Sequence, residues 1–144
     1  METKKGKSVM DWENTADSST PTVFYRMPNV EGLEIFSHRI PNVPGKSLAA
    51  VEVSYPPGGA SAPHHHSDSA FIYAYVVSGQ IASQIEGQPE HIYRAGECWY
   101  ETPGAHHLIS RNVSNTEPAK LLAVFVVDTE DKALTIPDHE GDSR

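Results

Sequence analysis

Short runs of β-branched and aromatic residues alternate with turn-forming clusters along most of the chain. Val51, Val53 and Tyr55 interleave with Glu52 and Ser54, the two-residue period of a strand with one buried face. Comparable runs cover residues 22–27, 33–40, 47–55, 70–77, 81–85, 91–94, 97–101, 107–112 and 120–128. Residues 121–127 are almost continuously apolar, which predicts a strand covered on both faces. Pro28-Asn29, residues 41–45 and 56–59, Ser78-Gly79, Glu86-Gly87, Ala95-Gly96 and Pro103-Gly104 punctuate the runs as turns. No segment sustains a period of 3.6 residues, and no internal repeat is visible. The pattern predicts an all-β sandwich or barrel.

Residues 1–20, rich in Lys, Ser, Thr, Asp and Asn, lack this pattern and read as a flexible arm, with Trp12 suited to anchor it. Residues 21–137 then form one domain, and 138–144 a C-terminal tail. A chain of 144 residues is long enough to bury a single core. Its formal net charge of -8 argues against nucleic acid or an anionic membrane surface as partner. The lone cysteine, Cys98, allows no intramolecular disulfide, so a reducing compartment is expected. Beside Trp99 in an apolar run, it reads as core filler. Residues 1–20 hold no apolar signal-peptide core, and no apolar run approaches the roughly 18 residues of a membrane span. A soluble, cytoplasmic protein is expected.

The chemistry concentrates in histidine. Five of the eight histidines form two clusters, His64-His65-His66 and His106-His107, each preceded by glycine and proline. Neutral imidazole is the commonest protein ligand for transition metals. On a strand, His64 and His66 point one way and His65 the other. A second strand that brings His106 or His107 opposite completes a three-nitrogen site. His38, His91 and His139 have no such context and read as ordinary surface residues.

The segment Gly58-x5-His64-x-His66, running on to Tyr75-Val76-Val77-Ser78-Gly79, resembles the first motif of the cupin superfamily, G-x5-H-x-H-x3/4-E-x6-G. Gly96-x7-Gly104-x2-His107, followed by Asn112, resembles the second, G-x5-P-x-G-x2-H-x3-N. The resemblance covers residues 48–127. It implies a double-stranded β-helix, a small antiparallel barrel with a metal at its open mouth. Its glycine spacing selects His107 over His106. The glutamate of the first motif has no counterpart, because its slot falls on Ala70, Phe71 or Ile72. The stretch from His66 to Gly79 is longer than the motif, which suggests a bulge or wider loop. In the second motif, Thr102 takes the proline slot with Pro103 one place later, and Asn112 is displaced by one.

The implied metal ligands are therefore His64, His66 and His107, an all-histidine set for Fe, Zn, Ni, Mn or Cu. Gln84 and Asp68 are candidates for an extra oxygen ligand, although each also reads as a solvated residue. Strand alternation puts Ile109 and Arg111 on the His107 face, where Arg111 could pair with a substrate carboxylate. Trp99, Tyr73, Tyr75 and Phe125 are core aromatics that could also line a pocket. The sequence around residues 69–75 and 103–107 resembles small single-domain cupins described as quercetin-dioxygenase-like. That resemblance implies a dioxygenase acting on a small chelating diketone, catechol or flavonol-like substrate. The alternatives are a non-catalytic cupin that binds a metal or small molecule, and an isomerase or epimerase whose base the sequence does not locate. Small cupins commonly form homodimers, and residues 22–40 are expected to supply shared strands that cover a sheet edge.

Overall fold

The computed structural model describes residues 22–27, 30–131 and 134–138. Residues 1–20 with Trp12, His139 and most of the C-terminal tail lie outside the described residues. Eleven strands run through the described chain: β1 (Thr22–Met27), β2 (Val30–Arg39), β3 (Lys46–Tyr55), β4 (His64–His66), β5 (Phe71–Ser78), β6 (Gln80–Ile85), β7 (His91–Arg94), β8 (Cys98–Glu101), β9 (His106–Asn112), β10 (Ala119–Asp128) and β11 (Thr135–Pro137). No helix among them is long and apolar enough to cross a membrane. The strands build a five-stranded sheet, β11-β4-β9-β6-β7, and a six-stranded sheet, β1-β2-β3-β10-β5-β8. All pairings are antiparallel. This is the double-stranded β-helix that the strand pattern and the histidine motifs point to.

The core fills the space between the sheets. Val51, Val53 and Tyr55 of β3 face inward as their alternation requires, and meet Ile72, Ala74 and Val76 of β5 and Leu121, Ala123 and Phe125 of β10. Strand β10 departs from the expected covering of both faces: Leu122, Val124 and Val126 are only half-buried. Among the described residues, these side chains lie on the outer face of the six-stranded sheet beside neighbours on β3 and β5.

Cys98 is not core filler. It is exposed, because a four-residue strand with Trp99 and Glu101 buried must turn Cys98 and Tyr100 outward. Two strands escape the hydrophobic pattern altogether. β4 is three histidines, and β11 is a Thr-Ile-Pro edge strand whose residues pair with those histidines.

The turn from β5 to β6 needs a glycine. Gly79 has φ +78°, and a Cβ there would lie 2.7 Å from the Ala119 Cβ and 2.8 Å from the Pro118 carbonyl oxygen. Gly87 has a similar φ of +93° but open space around it. Gly79→Ala should therefore lower unfolding free energy by roughly 2–4 kcal/mol, from backbone strain plus overpacking. Gly87→Ala should cost about 1–2 kcal/mol, from strain alone. Urea unfolding of both variants checks this, and equal losses would contradict the steric account.

Candidate metal centre

Strand register decides which histidines meet. β4 pairs with β9 so that His64 lies opposite His107 and His65 opposite His106. Successive residues of a strand face opposite sides, so the first pair enters the barrel and the second faces outward. Burial follows this: His64, His66 and His107 retain 3%, 7% and 4% of their exposure, whereas His65 is exposed. One ring nitrogen from each of His64, His66 and His107 lies within 4.8 Å of the others. The three ligands implied by the sequence are thus gathered, and His65 and His106 are excluded from them.

A β-bulge corrects the expected role of Arg111. Pairing of β9 with β6 steps from His107↔Ile85 to Ile109↔Gln84, leaving Leu108 as the extra residue. One inserted residue reverses which side chains face inward. Ser110 and Asn112 therefore share the inner face with His107, and Arg111 points into solvent, 3.2 Å from Glu90. Gln84 does not reach the cluster either: its amide donates to the Gln88 carbonyl at 2.9 Å, on the surface. Its neighbour Ser83 faces inward instead, with Oγ 2.8 Å from His107 Nε2. Asp68 is exposed and takes no part in the cluster.

Backbone carbonyls orient two of the rings. His64 Nδ1 donates to the Ala62 carbonyl at 2.7 Å, and His66 Nδ1 lies 3.3 Å from the Leu134 carbonyl and 3.3 Å from Thr135 Oγ1. A proton held on Nδ1 leaves the Nε2 lone pair free for a ligand. The carbonyl that serves His66 comes from the residue just before β11, so the C-terminal strand helps to set this ring.

The donor set also contains a carboxylate outside both motif slots. Glu101, on β8, is 3% exposed. Its Oε2 accepts from the Trp99 indole N–H at 2.9 Å and lies 3.6 Å from His107 Nδ1. Its Oε1 lies 3.1 Å from His66 Nε2 but has no hydrogen-bond partner. A buried carboxylate oxygen without a partner is costly, and a cation among the three rings would supply one. Neutral imidazoles with one carboxylate suit Fe, Mn, Ni, Zn or Cu, so the residues fit a divalent transition metal. The parity of β8 marks Glu101 in the sequence: with apolar Trp99 inside, the charged residue two places on is also inside, where an acid needs a reason to be.

Electrostatics disfavours protonation of His64 and His107. Burial, followed by repulsion from His107 and His66, lowers the His64 pKa to about 3. Burial also lowers that of His107, against the pull of Glu101. Burial would raise the Glu101 pKa, but His66, His107 and Trp99 outweigh it and bring it to about 2. The rings surround a cavity of about 30 Å³ whose lining includes Val51, Tyr55, Ser61, Ser110, Phe125 and Thr135. That is room for about two water-sized groups. Tyr55 Oη and Ser110 Oγ are bonded at 2.6 Å. Phe125 and Trp99 stand 5.7 Å from His66 and 6.2 Å from His107, ring to ring. Tyr73 and Tyr75 do not line the cavity; they are 42% and 36% exposed on the outer face of β5. His91 is exposed and His38 is half-buried, with Nδ1 2.5 Å from the Arg39 carbonyl oxygen; neither joins the cluster.

The lowered pKa values of His64 and Glu101 act in one direction on stability. Below its ordinary value of 6.5, His64 takes up a proton in the unfolded chain but not in the folded one until about pH 3. Glu101 behaves likewise between 4.5 and about 2. The unfolded state binds more protons across both ranges, so stability falls as pH falls. Metal-free protein should show declining urea midpoints from pH 6.5 towards 3, with a shallower decline in His64→Gln. A flat profile would contradict the buried neutral histidine.

Comparisons with known proteins agree with this architecture. The family model for the cupin domain (Cupin_2) matches residues 51–125. No curated protein matches the chain. Among solved structures, the chain is similar to the Schizosaccharomyces pombe Cnp3 cupin domain, with 17% identity and a TM-score of 0.56 over 70% of this chain and 66% of that one. It is similar to KdgF from Halomonas sp., with 19% identity and a TM-score of 0.55 over 85% of this chain and 92% of that one. An oxalate oxidase shares 22% identity and a TM-score of 0.56 over 81% of this chain and 63% of its own. Likeness at this identity speaks to the fold, which enzymes and non-enzymes share. With the family model spanning half its length and both histidine motifs meeting at one site, the chain belongs to the cupin family.

Proposed function

We propose that this cupin is a metal-dependent enzyme of the dioxygenase type, acting on a small substrate that chelates through oxygen. His64, His66 and His107 would hold a divalent transition metal, with Glu101 as a carboxylate ligand. The observation that carries this reading is the Glu101 carboxylate, buried beside three converging imidazoles with no hydrogen bond to its Oε1. When bound, such an ion polarises a coordinated oxygen and offers positions for a substrate.

The chain's own residues supply the rest. The Ala62 and Leu134 carbonyls fix the rings of His64 and His66. Val51 and Phe125 keep bulk water from the site, and the hydroxyls of Tyr55, Ser61 and Ser110 are the polar groups that can orient a ligand. A cavity of about 30 Å³ favours a short diketone or hydroxy acid over a flavonol or catechol. The oxalate oxidase among the similar structures is named for a small dicarboxylate, which likewise chelates through oxygen.

The same tightness supports a second reading, a binding module that holds its metal without turnover. A homodimer completes the proposal. Phe71, Tyr73, Tyr75 and Val77 are 36–45% exposed on one sheet face, an apolar surface suited to a second copy.

Protein purified without a histidine tag should carry about one tightly held metal per chain at this centre. His64→Ala, His66→Ala and His107→Ala should each lose it. Glu101→Gln should retain the rings but weaken affinity by roughly 10–100-fold. Iron-loaded protein should then consume oxygen with small diketones or hydroxy acids and not with flavonols. Firm metal binding without oxygen uptake would favour the binding module, and wild-type metal content in all three alanine variants would overturn the site.

A further inference from the structure

The register that sends His64 and His107 inward sends His65 and His106 outward, to directly opposite positions on β4 and β9. Opposed residues of an antiparallel pair have their Cβ atoms about 5 Å apart, close enough for two imidazoles to share one ion. Asp138, just after β11, closes the group: Oδ1 lies 3.2 Å from His65 Nδ1 and Oδ2 lies 2.9 Å from His106 Nε2. One ligand atom from each of the three falls within 4.8 Å of the others.

We propose that His65, His106 and Asp138 form a second divalent transition-metal site on the outer face of the five-stranded sheet, back to back with the inner centre. Glu86 carries the argument beyond proximity. Its Oε1 lies 2.7 Å from His106 Nδ1. A carboxylate that holds the proton of one ring nitrogen leaves the other as a metal ligand of raised basicity. His106 Nε2, so oriented, faces Asp138. Two nitrogens and a carboxylate oxygen suit Zn, Ni or Cu(II) better than Ca or Mg.

The rings of His65 and His106 lie parallel, 3.9 Å apart. To aim both lone pairs at one ion, His65 turns about its Cβ–Cγ bond. Its side chain is 49% exposed, so the turn meets little packing. Asp138 then exchanges contacts with ring nitrogens for contacts with the ion. Because the residue just before β11, Leu134, offers its carbonyl to His66, an ion here pins the segment that orients an inner ligand.

The test is zinc titration of the full chain, with bound metal counted after gel filtration. Wild type should take two equivalents, and His65→Ala and the His65→Ala/His106→Ala pair should take one. Asp138→Asn keeps a similar shape and should weaken the second equivalent at least tenfold. His64→Ala should lose the other equivalent, so failure of the inner and outer sites is told apart. Near-UV circular dichroism confirms that each variant is folded. A single equivalent in wild type that survives the His65→Ala/His106→Ala pair, or two equivalents that survive it, would overturn the outer site.

Discussion

Four histidines on two short strands can form an inward pair and an outward pair only if the strands meet in one register. The pairing of His64 with His107, and of His65 with His106, is that constraint. A slip of one residue would send His65 into the barrel and leave His64 and His66 in water. Flanking pairings hold the register. β11 aligns Thr135, Ile136 and Pro137 with His66, His65 and His64, and β6 aligns Ile85 with His107. The three-residue β4 is thus clamped from both sides, although its sequence has little intrinsic strand character.

Electrostatics at the centre depends on that placement. Buried His64 and His107 resist protonation because each charge would lie in a desolvated site beside other rings. The rings of His66 and His107, with the Trp99 indole, favour the ionised form of Glu101. Low proton affinity at the nitrogens and a standing negative charge on the acid are what a divalent ion needs from its ligands. One carboxylate oxygen is committed to Trp99 and the other is not, so the pocket is polarised towards one point before any ligand arrives.

Much of this could be read from the chain. Alternation at Val51, Val53 and Tyr55 located a core strand, and glycine spacing separated His107 from His106. What escaped had physical causes. Arg111 was assigned by strict alternation, which a bulge at Leu108 breaks, and no residue type there announces a bulge. An acid was sought only in the first motif's slot at residues 70–72, whereas the buried Glu101 stands two places beyond Trp99 on another strand. Cys98 was assigned by its apolar neighbours, although parity with Trp99 turns it outward. β11 has no hydrophobic alternation, so only tertiary pairing reveals it.

The bulge at Leu108 also works as a phase shift within one strand. Before it, β9 carries His106 and His107, each in a group of side chains that could hold a metal ion. After it, the inward positions pass to Ser110 and Asn112. Asn112 donates to the carbonyls of Pro56 and Glu117 and accepts from the Ser114 amide, which ties the loop between β9 and β10 to the end of β3. The two halves of β9 therefore obey separate patterns. Variation in ligand chemistry on one side of Leu108 need not disturb the scaffold on the other, so a single unpaired residue makes the metal end of the barrel an independently evolvable module.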